Sequence, residues 1–570
     1  MVRREGHRVP ARRSIVAARR MLCAGLALLA GAMAAQAQGA FPAFYLDAAL
    51  YREAIASEAA PAKSLAVTGL TMPHHLVAAD LMVRAFRTVE GARYDRVILL
   101  SPDHFFKSRR TLATTTRSFD TIFGPVPVDA AATQHLASFG DIAEESDLFV
   151  NEHGIAALLP LVRRFLPDIP IVPVTVAIGS KPADWDRAAQ ALRSIITDRT
   201  LVIQSTDFSH YLPVKTAIQR DQETLNVIAS ADMAALAALR QPDHLDARGA
   251  QAIQTLIQRD VFASHGVVIA NRNQAEYEPV TTSTTSYIAM AYARDAGAAS
   301  ALRYSDQHTI YFGGDVFAGR RLAAPLNDPA QRARIIAAIR EKTAGGDLIV
   351  NLEGVMLDDP PPGLNPDLHV FASRPAGDML KQAGIVAAGL ANNHAADLGP
   401  RGRHATIGAL KRAGIRPLEH MAITDMGAFR LVALNTIGRG VQAGYPVVTR
   451  RDLDRLCRAG LRQPLVALMH WGQEYTTEPP AETLAQAEDL HACGVRLLIG
   501  AHSHQAAPRP LALRGGDYAM VYSLGNLLFD QPSAKGTGAL LELRIFAQGT
   551  MAVRLIPMPN LYDMMARAPR

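Results

Sequence analysis

The feature that most constrains this chain is an alternation that runs, stops and starts again. Short β-branched runs at residues 96–100, 169–177, 201–204 and 283–289 alternate with stretches of helical period, among them 185–196 and 215–229. Apolar strands separated by helices bury both faces as βαβ units in a parallel or mixed sheet. Residues 293–307 (ARDAGAASALRYSDQ) then carry small and polar side chains with no strong strand signal and read as a linker. The alternation resumes at 309–312, 348–351, 385–389, 431–435, 465–469, 497–499, 520–522 and 551–556. A chain of 570 residues is too long for one ordinary core, so two α/β domains are expected.

Charge is informative for where it sits. Seven arginines and one glutamate precede Met21, and they account for the whole formal surplus of +6. The basic excess is therefore terminal, not a folded face, and gives no reason to expect a nucleic-acid partner. At 49% hydrophobic and 20% charged residues, the remainder has the composition of a folded protein. After the arginines comes the uncharged run MLCAGLALLAGAMAAQA at 21–37. A basic start, a short apolar stretch and an Ala35-Gln36-Ala37 ending read as a secretory signal peptide over 1–37. The competing reading is an uncleaved anchor, but the apolar part is shorter than the ~20 residues a spanning helix needs. Export to the periplasm or outside is expected. Arg12-Arg13 and Arg19-Arg20 lack a full twin-arginine context. Of three cysteines, Cys23 lies in the signal; a Cys457–Cys493 bridge is permitted outside the cytoplasm, but nothing in the sequence argues for it. Without CxxC spacing, any metal must be held by His, Asp, Glu and Asn.

Six segments of the second half follow strands and carry ligand-type side chains: Gly314-Asp315, Asn351-Leu352-Glu353, Asn392-Asn393-His394 with Asp397, His470 through Glu474, His502-Ser503-His504, and Gly525-Asn526. Singly, each is an ordinary polar turn. Together they lie where open α/β sheets gather their chemistry, and they supply the carboxylates, imidazoles and amides that divalent ions take. His502 and His504, separated by one residue, can face one cavity from a bent turn.

The series GGDVFAGR, NLEG, GLANNHAADLG, MHWGQEY, GAHSHQ and YSLGNLLFD resembles the CapA family of capsule and poly-γ-glutamate synthesis proteins, itself similar to calcineurin-like metallophosphoesterases. The resemblance implies a four-layer αββα sandwich over 308–560 with one or two divalent ions, Mn, Fe, Zn or Mg. It implies Asp315, Glu353, Asn393, His470, His502 and His504 as metal ligands and His394 as the acid or anion-stabilising group. Glu474 is placed as an acid/base beside them and Asn526 against substrate. The wider superfamily opens with Asp-x-His, whereas this chain has Asp315-Val316-Phe317, so one imidazole is missing.

In the first half, Pro73-His74-His75, Ser101-Pro102-Asp103-His104, Asn151-Glu152-His153 and Ser205-Thr206-Asp207-Phe208-Ser209-His210-Tyr211 could build a mononuclear site or simply cap strand ends. At most one of His74 and His75 can serve. These segments resemble the Memo family (AmmeMemoRadiSam system protein B), similar in fold to class III extradiol dioxygenases, over a domain at 60–292. The resemblance implies that His75, His104 and His210 line the pocket and hold an additional metal, with His153 and Asp207 beside them for substrate. Where that family carries cysteine then glycine, this chain reads Ala247-Arg248-Gly249, and Arg248 is expected to bind an anionic group.

Two function classes follow. The first is an exported metal-dependent enzyme acting on an anionic envelope polymer or its precursor, alongside membrane-bound synthesis machinery. It would work by hydrolysis or transfer at an acyl or phosphoryl centre. The second is a non-enzymatic envelope protein that holds polymer or metal for an assembly machine.

Overall fold

The computed structural model describes residues 39–61, 65–278, 282–438, 447–459 and 463–566; the expected signal peptide and Cys23 lie outside them. The first half is one eight-stranded mixed sheet. Its centre is the parallel set Ile171–Val176, Arg96–Pro102, Thr200–Ser205 and Val67–Met72, continued antiparallel by Ser286–Ala293 and His265–Asn273. The four parallel strands are buried almost throughout, which is why they read as unbroken apolar runs and not as alternating ones. Helices cover both faces: Ala79–Arg87 and Leu159–Phe165 pack in one core, Pro182–Arg193 and Arg248–Leu256 in the other.

The second half holds two larger sheets. One runs Arg416–Leu418, Ile385–Gly389, Leu348–Leu352, Gln307–Val316, Gly538–Phe546 and Met551–Met558, with Asn526–Leu528 paired to Gln307–Val316. The other runs Thr424–Asp425, Arg430–Asn435, Leu465–His470, Val495–Ala501, Tyr518–Val521 and Leu511–Leu513. Ile310, Phe312, Leu541 and Leu543 of the first share one core with Val432, Leu434, Val466, Leu468 and Leu498 of the second. Helices Pro329–Lys342, Ser373–Gln382 and Gly399–Arg412 pack outside the first sheet. Arg450–Cys457 and Ala481–Ala492 pack outside the second and are tied by a Cys457–Cys493 disulfide. The αββα sandwich is thus present.

Residues 293–307 are not extended between the halves. They form the 3-10 turn Ala298–Ala301, and Ala299 and Leu302 are buried in the first core. The sandwich edge docks on the first domain through Gln222, whose amide exchanges two hydrogen bonds with the Met551 backbone at 2.9 and 2.7 Å. Beside it lies a buried ion group: Glu542 accepts from Arg544 at 2.6 Å and from Arg554 at 2.7 Å, and Arg544 Nη1 donates to Leu302 O at 2.6 Å. Burial pushes the Glu542 carboxyl up, but its two arginines more than reverse this and hold it well below the usual range. Glu542→Ala leaves two buried guanidiniums without their anion, and should cost about 3–5 kcal/mol in denaturant unfolding; a loss below ~1 kcal/mol would make the group a surface pair in effect.

Candidate metal centres

Each site grows from strand ends. In the second half, Gln307–Val316 brings Asp315 beneath the 523–526 turn. A Cβ on Gly314 would sit 1.8 Å from the Gly525 carbonyl oxygen, so glycine is what lets Asn526 pair with Asp315 across the strands. Asp315 is fully buried and accepts from Asn351 Nδ2 at 2.7 Å and from the His502 amide at 3.1 Å. Gly500 permits the same close approach in the other sheet, where a Cβ would lie 1.7 Å from the Tyr522 carbonyl oxygen. His502 and His504 then turn inward with left-handed φ of 89° and 59°, and Arg320, Leu398 and Tyr475 around them are left-handed too. Strain of about 1–3 kcal/mol per residue persists where surrounding structure fixes a functional geometry.

Three groups of ligand atoms converge within 4.8 Å, and all include Glu353: Asp315 with His504, His470 with His502, and His369 with His394. His504 Nδ1 lies 3.4 Å from Asp315 Oδ2 and 2.9 Å from Asn526 Oδ1. His470 Nε2 lies 2.7 Å from Asn393 Oδ1 and 3.9 Å from Glu353 Oε1. His394 Nδ1 is held by Asp397 at 3.0 Å, which leaves Nε2 4.0 Å from Glu353 Oε1. His369 stacks on that ring at 3.5 Å, and Asp397 also accepts its backbone N–H at 2.7 Å.

The electrostatics are those of donors that suit a cation. Burial, then the Asp315 charge, raises the Glu353 carboxyl well above its ordinary range. Burial, then the His502 charge, lowers His470 well below its ordinary value, and burial brings His502 down to about 4. His504 is pushed down by burial, but Asp315 and Glu353 reverse that and bring it up to about 9. Glu353 Oε2 and His502 Nδ1 are buried with no hydrogen-bond partner. Orphaned acceptors of this kind, on carboxylate and neutral imidazole, fit a divalent ion of the Zn, Mn or Fe type.

Among the residues expected here, the structure brings together Asp315, Glu353, Asn393, His394, His470, His502 and His504. Glu474 is exposed, outside the buried cluster, and reaches it as a charge that adds to those raising Glu353. Asn526 orients His504, whose Nδ1 lies 2.9 Å from its Oδ1, and donates to Gln531 Oε1 at 2.9 Å. His369 is not legible from the sequence, because it stands alone in a loop before Val370–Ala372.

In the first half, ligand atoms of His74, His104 and His153 lie within 4.8 Å of one another. His74, not His75, enters the site: its Nδ1 is 3.1 Å from Ser205 Oγ and its Nε2 is 3.5 and 3.6 Å from Asp207 and Asp246. His75 turns to Tyr287, whose hydroxyl lies 3.0 Å from its Nδ1. His153 joins His74 and His104 in this group. His210 stands outside it, its Nδ1 buried and unpartnered. Asp207 stays beside the cluster, its carboxyl raised to about 8 by burial and then by Asp246. Arg248 departs from expectation. As first residue of the helix Arg248–Leu256, it donates to Gln241 Oε1 at 2.8 Å and to Ala237 O and Leu239 O at 2.6 and 3.1 Å, pinning the end of the helix Met233–Ala238. Its guanidinium is thus committed away from the three imidazoles; the group that meets them is Asp246, two residues earlier. Three imidazoles with carboxylates beside them make a donor set that also fits a divalent ion.

The comparisons with known proteins divide at the same place. Residues 45–291 match the family described as Memo-like protein, and residues 309–419 and 438–531 match the bacterial capsule synthesis protein PGA_cap. The chain is 25% identical over 216 residues to the capsule biosynthesis protein CapA of Bacillus anthracis, covering 34% of this chain and 52% of that one. It is 23% identical over 212 residues to the PGA biosynthesis protein CapA of Bacillus subtilis, covering 34% and 55%. It is 25% identical over 198 residues to a MEMO1 family protein of Thermotoga maritima, covering 34% and 71%. The chain thus spans about half the length of these CapA relatives.

His104 gives the first-half site a titration of its own. Burial pushes it down, but the Asp246 and Glu152 carboxylates, at 3.9 and 2.6 Å, outweigh burial and raise it to about 10. In the metal-free protein its contribution to stability is therefore full below about 6.5 and is lost as pH rises through about 10. Asp246→Asn should lower the His104 pKa; NMR titration of its ring checks this, and an unchanged value would remove Asp246 from the site.

Proposed function

From a chain that joins a Memo-like domain to a capsule synthesis domain of the PGA_cap type, we propose an exported, metal-dependent enzyme of cell-envelope polymer metabolism. It acts by hydrolysis or transfer at an acyl or phosphoryl centre in the second domain. The observation that carries this reading is Glu353. One buried carboxylate belongs to both the Asp315–His504 and the His470–His502 groups, the arrangement that lets two ions share a bridging ligand.

When bound, such ions supply Lewis acidity and a water of lowered pKa. The chain's own residues do the rest. Asp315, Glu353, Asn393, His470, His502 and His504 would hold the ions, and Asn351 and Asn526 fix Asp315 and His504 in orientation. His394, with Nδ1 committed to Asp397, presents Nε2 toward Glu353, where it donates a proton to the leaving group or steadies a developing anion. The first domain binds or presents the polymer or its precursor. A poly-γ-glutamate-like amide chain and a phosphorylated glycan both suit this chemistry, and membrane-bound synthesis machinery is the partner class.

Two variants test the division of labour. His504→Ala should lose metal and turnover together. His394→Ala should keep its metal, by elemental analysis, while turnover of a chromogenic phosphate ester or of poly-γ-glutamate falls by about 10²–10⁴. Equal metal loss in both sinks the proton-donor role. Metal-dependent retention of poly-γ-glutamate with no turnover of either probe would leave a binding protein, not an enzyme.

A further inference from the structure

Eight large apolar side chains are exposed among the described residues, and six of them belong to the first domain: Phe44, Leu46, Phe105, Phe106, Val150 and Tyr211. Each lies within two residues of a group at or beside the first-half site. Phe105 and Phe106 follow His104, Val150 precedes Glu152, Tyr211 follows His210, and Phe44 and Leu46 flank Tyr45, whose hydroxyl is raised by burial and then by the Asp207 charge. Phe44, Tyr45 and Val150 border one groove, the Phe105 ring stands 6.0 Å from that of His153, and the Tyr211 ring stands 5.5 Å from that of His210.

Two of these side chains are set by unusual backbone geometry. Phe106 and Tyr211 both have left-handed φ of 54°, and they are 71% and 76% exposed. A bulky residue in that region is strained, and here the strain turns an aromatic ring outward. The loop is fixed from below. Buried Asp103 accepts from the Ser108 amide at 2.6 Å, and its carbonyl accepts from the Phe106 amide at 3.3 Å. The ring pair leads directly into Lys107, Arg109 and Arg110, all exposed, with Arg109 also meeting Glu144 at 2.9 Å. Aromatic rings beside cations are what an anionic bilayer surface takes: rings enter the interfacial layer while cations meet the headgroups.

We infer that the rim of the first-half site, centred on Phe105, Phe106 and Tyr211 with Lys107 and Arg110, docks on an anionic lipid surface and opens that site toward membrane-borne material. This does not depend on the metal reading of the second domain.

The test uses the full chain and vesicles of phosphatidylcholine with and without phosphatidylglycerol. An environment-sensitive dye on Phe106→Cys should shift to the blue on phosphatidylglycerol vesicles and return on adding salt, while the same dye on Ile423→Cys in the second domain should not respond. Lys107→Gln and Arg110→Gln should each lower the vesicle partition coefficient about fivefold, and Phe105→Ser with Phe106→Ser about tenfold or more. These positions are exposed, so metal content and melting should stay as in the wild type. A dye at position 106 that ignores vesicles, or rim variants that sediment with vesicles as the wild type does, would overturn the inference. A dye shielded without lipid, together with a dimer in solution, would make the face a contact between copies instead.

Discussion

A single buried carboxylate organises the second half. Glu353 is 1% exposed, one of its oxygens has no hydrogen-bond partner, and Asp315 lies close enough to raise its pKa further. An uncompensated anion in that position would cost several kcal/mol or take up a proton. Beside it stand three imidazoles, each supported by a neighbour: His470 beside Asn351 and Asn393, His504 by Asn526, His394 by Asp397. The His504 charge offsets the carboxylate only in part, and Glu353 stays raised; a divalent cation would relieve it further, through lone pairs these same groups offer. The sandwich fold, the close-approach glycines at 314 and 500 and the left-handed histidines all serve to bring these groups to one point.

Strand order explains why the sequence could show so much of this. Leu348–Leu352, Ile385–Gly389, Arg430–Asn435 and Leu465–His470 are buried along nearly their whole length, so each stands out as a short apolar run ending in a polar turn. The ligands sit in those turns, and their chain order is enough to find them. What stays hidden lacks that signature. Gly538–Phe546 carries Glu542 and Arg544, charges that argue against a buried strand until Arg554 arrives from the neighbouring strand to satisfy them. Val67–Met72, at the centre of the first sheet, is interrupted by Gly69, where the side chains of Gln254 and Gln258 occupy the space a Cβ would need.

The first-half site is harder to read for a different reason. Two adjacent histidines cannot be told apart by pattern; the choice falls to His74 because Ser205 and Asp207 wait at the end of the neighbouring strand, whereas Tyr287 claims His75. Arg248 occupies the position where the resemblance places a thiol, and position alone suggests a pocket residue. Its length decides otherwise: the guanidinium reaches the free carbonyls at the end of a helix and is held there by three acceptors. A shorter acidic side chain, Asp246, remains near the imidazoles.

The two halves are joined more tightly than a linker reading allows, and this bears on how the sites work together. Leu302 is buried with the first core while its carbonyl accepts from Arg544 of the sandwich, and Phe546 and Ala552 of the sandwich lie in the first domain's second core. Apolar contact and buried ion pairs on the same seam resist hinge motion, since opening it would expose both at once. The two clusters of candidate ligands are therefore carried in a fixed relation to each other. On the proposed function, a polymer engaged at one site would meet the other through its own length and flexibility, not through closure of the protein around it.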